Sequence, residues 1–150
     1  MNITEKVVTH IAHAPVAAGA TDVTDCKVID MQNFDGVRFV VGFGTITAGA
    51  VTSINVKQAD AKTSDTALTS GQDLAGTKVT VPDDGDNKLY IVDVYRPQKR
   101  YVQLHIDRAT QNAVVDLAIG EQYNARKVPV TQNADVNAHE VHASPAEGTA

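Results

Sequence analysis

The chain has no tryptophan, one cysteine and two methionines, and aromatic residues make up only 5% of its 150 positions. Cys26 stands alone, so no internal disulfide can form and stability has to come from packing or assembly. Four Tyr and three Phe leave little from which to build stacking platforms for sugars or single-stranded bases. Long apolar runs are missing as well. No stretch approaches the roughly 20 residues of a membrane helix, and residues 1–6 show no basic segment leading into an apolar one, so no secretory signal is expected. Positive charge is in deficit: 13 Lys and Arg against 18 Asp and Glu give a formal net charge of −5. That balance argues against a general nucleic-acid binder.

Leucine is scarce too, and what replaces it is informative. Val outnumbers Leu 21 to 5, and there are 15 Thr. β-Branched side chains are stiff at χ1 and suit a pleated surface better than a helix, which excludes a helical bundle. Leu, Ile, Val and Phe together total 37 residues, enough for the core of one domain.

The pattern divides the chain into three zones. Residues 1–22 lack sustained alternation and are expected as an N-terminal arm, since 13–20 is too rich in small residues to form a stable element. Residues 23–120 hold the regular β pattern, and 121–150 lose it again as a C-terminal arm. In the middle zone strands are predicted over 26–31, 37–46, 51–57, 77–81, 88–95, 101–106 and 113–119. Turns are expected at Asn33–Gly36, where Asp35-Gly36 favours a reversal, and at Thr47–Ala50, Pro82–Asn87, Arg96–Arg100 and Thr110–Asn112. Residues 59–73 read as a long exposed connection. About seven or eight short strands with a turn every 8–12 residues predict an antiparallel, jelly-roll-like β-sandwich.

None of the candidate chemical constellations is complete. His139-Glu140-Val141-His142 is one residue short of the spacing that sets two zinc-binding His on one helical face. His10 and His13 have helical spacing without a third ligand. Asp83, Asp84 and Asp86 offer hard oxygens but lack the EF-hand spacing and its closing Glu, so whether they hold a cation stays open. Gly42-Phe43-Gly44 lies inside a strand with no helix after it, where glycines relieve crowding or admit a bulge. Cys26 reads as a small buried hydrophobe. No catalytic residue, cofactor or metal is expected. One asymmetry remains. Residues 96–127 carry six bases (Arg96, Lys99, Arg100, Arg108, Arg126, Lys127) against three acids (Asp107, Asp116, Glu121). Two readings fit: a solvated hairpin edge protected against pairing, or a basic face that docks on an acidic protein surface.

The run Val37–Ala50, with Gly42, Gly44 and Gly49, followed by Ile54-Asn55-Val56-Lys57-Gln58-Ala59-Asp60, resembles the small β-sandwich proteins of tailed-phage structural modules. Lys99-Arg100-Tyr101-Val102-Gln103-Leu104 is similar to a "K-R-Y-V-R-V" strand of those proteins. The resemblance covers about residues 25–120. It implies a capsid cement (decoration) protein: a non-enzymatic virion component, made in the host cytoplasm, that binds the outside of a phage capsid as a homo-oligomer and stabilises it. The implied partners are the major capsid protein and a second or third copy of the chain, with no nucleic acid and no membrane. The residues expected to make protein contacts are Arg96, Lys99, Arg100, Arg126, Lys127, Val128 and Val130. The C-terminal segment, restricted by Pro129 and Pro145, is expected to be mobile alone and to order across a neighbour. Two other readings stay open: a tail- or fibre-associated sandwich binding a host-surface glycan, and an enzyme whose site is assembled from distant residues.

Overall fold

A computed structural model describes residues 2–144 and 146–149; Met1, Pro145 and Ala150, in the two expected arms, lie outside the described residues. The described chain is all β and contains no helix. It forms twelve strands: β1 (Val8–His13), β2 (Val16–Gly19), β3 (Val28–Asp30), β4 (Phe34–Ile46), β5 (Val51–Ala59), β6 (Ala61–Ser64), β7 (Ala67–Thr69), β8 (Gln72–Asp73), β9 (Val79–Val81), β10 (Lys88–Tyr95), β11 (Tyr101–Ala109) and β12 (Ala113–Ala125). One antiparallel sheet has the order β1-β12-β4-β10, with β2 also on β12. The other runs β3-β11-β5, with β8 and β9 both on β5. This is a sandwich in jelly-roll order, in which the chain changes sheet at most connections.

Period-two alternation positions the core. On β4 the side chains of Val37, Phe39, Val41 and Phe43 are fully buried, and they face Ile54 and Val56 of β5 and Val102, Leu104 and Ile106 of β11. Phe43 meets the Tyr90 ring edge-on, with centroids 5.5 Å apart, a favoured aromatic geometry. Cys26 lies in the same core, and burial pushes its thiol up to about 12.

The strand count exceeds the expected seven or eight because two segments expected to be irregular form strands, and a third expectation, a turn at Asp35-Gly36, fails as well. Residues 59–73 are not a bare connection: β6 pairs with β7, and β8 adds to β5. Asp35-Gly36 is not a turn. The Tyr123 ring occupies the place of a side chain at Gly36, where an added Cβ would lie 2.1 Å from it. The strand therefore runs through, and the reversal falls earlier, at Asn33 with φ 71°. The N-terminal arm is largely sheet. β1 and β2 pair with β12, which itself continues to Ala125 and supplies the ladder that short Ala-rich segments could not make alone.

The C-terminal segment also departs from expectation, for a reason visible in its hydrogen bonds. Residues 130–135 lie along the outer edge of β1 in the single chain. The Val130 N–H donates to the Glu5 carbonyl (2.8 Å). Gln132 donates to the carbonyls of Thr4 (2.9 Å) and Val7 (2.6 Å) and accepts from the Thr9 N–H (3.1 Å). Asn133 donates to the Thr9 carbonyl, and Asp135 accepts from the Ile11 N–H (3.1 Å) and from Lys27 Nζ (2.6 Å). Side-chain amides and a carboxylate thus stand in for a partner strand and close an edge that would otherwise invite pairing.

Candidate functional site

Three segments meet at one end of the sandwich: residues 31–35, which lead from β3 into the start of β4, residues 96–100 between β10 and β11, and Arg126 just past β12. Backbone bonds tie them together. The Arg96 N–H donates to the Asp35 carbonyl (2.6 Å), Met31 N–H to the Arg100 carbonyl (2.8 Å) and Arg126 N–H to the Asn33 carbonyl (2.9 Å). Between them lies an open cleft of about 700 Å³, and Arg96, Lys99, Arg100 and Arg126 all line it, with Asp35 the one acid in the lining. Four of the seven residues expected to make protein contacts therefore converge. Lys127 and Val128 are exposed beyond the cleft, and Val130 is carried away along β1.

The charges of the cleft are partly neutralised by neighbours. Arg100 grips Asp30 with two nitrogens (2.9 and 2.7 Å) and reaches Gln32 (2.8 Å). Those guanidinium hydrogen bonds hold the Asp30 carboxyl below its usual range. Lys99 sits 3.1 Å from Asp60, and Arg126 3.3 Å from Asp35. Arg96, whose own φ is 52°, lays its guanidinium 5.1 Å from the Tyr95 ring centre and has no ion pair among the described residues. Exposed pairs of this kind are worth about 0–1 kcal/mol each, so an incoming carboxylate can exchange with them at little cost. The arrangement suits docking against an acidic surface. It holds no nucleophile with an adjacent base.

The other constellations have structural employment. Asp86 accepts from the Ile46 N–H (2.7 Å) and Asp83 from the Gly49 N–H (2.7 Å), so the acidic turn braces the connection that carries the chain from β4 to β5 in the other sheet. His10 points inward and meets Gln122 (2.7 Å), whereas His13 meets Asp25 (3.2 Å); strand geometry separates the pair. His142 meets Glu140 (2.8 Å) on an exposed segment without helix. Gly44 lies where an added Cβ would come 2.7 Å from Asp116, opposite a bulge in β12.

On the outer face of the second sheet, Asp22, His105 and Asp107 bring three possible metal-ligating atoms within 4.8 Å of one another. Each is already engaged. Asp107 takes the Ser53 hydroxyl (2.6 Å) and His105 Nε2 (3.0 Å), with Lys78 Nζ at 3.9 Å, and Asp22 accepts the Arg108 N–H (2.9 Å). Both Ser53 and His105 address the carboxylate rather than each other, so this is not a nucleophile–base relay.

Arg108 was counted above with the basic surface residues, and the structure corrects that. It is buried and donates to the carbonyls of Thr21 (2.8 Å), Ala17 (3.0 Å) and Ala113 (2.8 Å), fastening β11 to the β1–β2 side of the other sheet. Its parity gave the signal: Val102, Leu104, Ile106 and Arg108 share one face of β11. Compared with protein-family models and with curated proteins, the chain matches none.

Proposed function

We propose that the chain is a non-enzymatic virion protein that binds the outer surface of a phage capsid as a homo-oligomer and cements the shell. The observation that carries this reading is the basic cleft: three loops, locked to each other through the backbone, present exchangeable cations to an acidic patch on a shell protein. The likeness of residues 25–120 to phage sandwich proteins supports it, and so does the architecture, since jelly rolls recur in viral capsid and lectin domains. The second support is an analogy of fold alone. A glycan-binding role is less well served, because the two tyrosines beside the cleft, Tyr95 and Tyr101, have Arg96 and Arg100 over their rings.

The test is co-sedimentation with shells stripped of their surface proteins. Wild-type chain binds to saturation and is released by salt, while the K99E/R126E double variant, its fold confirmed by circular dichroism, loses most of its binding. Equal binding by that variant would remove the cleft from the account.

A further inference from the structure

The two edges of the first sheet are treated differently. At β1 the outward backbone groups are met by Gln132, Asn133 and Asp135. At the other edge, β10 pairs with β4 alone over all eight of its residues, and among the described residues no group bonds to its far side. This bare edge carries exposed apolar side chains, Leu89 at 69% and Ile91 at 51%. Ile91 also ends a cross-strand row of Ile11, Ile119 and Val40 on the outer face of the sheet. Natural sheets protect such edges with charge, proline or a covering segment, and β10 offers only Asp93 on that exposed face.

The charges flanking the strand indicate what fills the edge. Before β10 lies the acidic turn with Asp83, Asp84 and Asp86; after it lies the basic loop with Arg96, Lys99 and Arg100. Asp84 and Arg96 are both exposed and, among the described residues, neither has an ion pair. A strand flanked by acids before it and by bases after it complements itself when antiparallel, because each flank then meets its opposite. We infer that β10 is a self-association edge, pairing antiparallel about a two-fold axis with β10 of a second copy to join two five-strand sheets. A register centred on Tyr90 sets Leu89 opposite Ile91 of the second copy and Lys88 opposite Val92, and brings the turn that carries Asp84 toward the loop that carries Arg96, each contact occurring twice as an isologous interface requires. This deepens the oligomeric part of the reading above and takes its biological setting from it. The isolated chain decides the interface, whereas shells decide the docking, so the two can fail separately.

The experiment uses the purified full chain. Sedimentation equilibrium gives a dimer. Asp84→Arg weakens it by about tenfold or more through repulsion from Arg96, and the D84R/R96D double variant restores it to within a few fold. For geometry, Leu89→Cys and Ile91→Cys chains are oxidised separately and as a mixture. Opposed strand positions lie within disulfide reach, at about 4.5–5.5 Å between Cα atoms, so a covalent dimer forms in the mixture and not in either chain alone; Cys26 is buried and does not interfere. A chain that stays monomeric up to its solubility limit would overturn the inference. So would a dimer indifferent to both charge variants, or a mixture that fails to crosslink.

Discussion

Gln132→Ala isolates the claim that the C-terminal segment seals the β1 edge. The amide of Gln132 makes three hydrogen bonds to that edge, with the Thr4 and Val7 carbonyls and the Thr9 N–H. At about 0.5–1.5 kcal/mol net for each, and with the freed groups able to take up water, the loss comes to about 1–3 kcal/mol. For a chain of this length that lowers Tm by about 2–10 °C. Deleting everything after Arg126 removes the bonds of Val130, Asn133 and Asp135 too. It also releases the ordering entropy of those residues, about 1–2 kcal/mol each, so the truncation is expected to cost little more than the single substitution. Amide hydrogen exchange reads the edge directly. Thr9 and Ile11 N–H groups are protected in the wild type, Thr9 loses protection in Gln132→Ala, and both lose it on truncation. Free exchange at Thr9 and Ile11 in the intact chain would refute the seal and return the segment to the mobile arm expected from its composition.

Three further outcomes follow from buried groups. Arg108→Met strands the Ala113 carbonyl in the core and cuts the Ala17 and Thr21 bonds; urea unfolding should show a loss of about 2–4 kcal/mol, and a neutral result would contradict the fastening role. Burial pushes the His10 pKa below 6.5, so the native state resists protonation that the unfolded chain accepts. Stability should accordingly fall as pH drops below about 6.5 and toward the lower folded value, and His10→Gln should flatten that part of the pH profile. The Cys26 thiol, raised to about 12 by burial, should react with a thiol reagent only as fast as the chain unfolds, and reductant should leave Tm unchanged.

The strands with strict alternation were legible in the sequence. Val37–Phe43 and Val102–Ile106 state which face is buried, and Lys88–Tyr95 matches β10 end to end. The missed elements are those whose partners supply the order. Residues 16–19 and 61–69 carry no periodicity of their own and become strands by adding to β12 or to each other. Gly36 reads as a turn until Tyr123, 87 positions later, is seen to fill its side-chain space. The cleft was half legible: Arg96, Lys99, Arg100 and Arg126 all stood out through the excess of bases over residues 96–127. Their convergence, however, depends on backbone bonds to residues 31–35 that no local pattern announces. Arg108 shows the opposite failure, where a count of charges overrode a strand parity that pointed inward.

The most direct test of the central claim, that the chain is a phage shell protein, is cryo-electron microscopy of particles purified from the cells that make this chain. The account predicts jelly-roll density at many copies over the outer shell, with the end formed by residues 31–35 and 96–100 seated on acidic shell surface. Finding the chain absent from the shell, or confined to the tail, would contradict it.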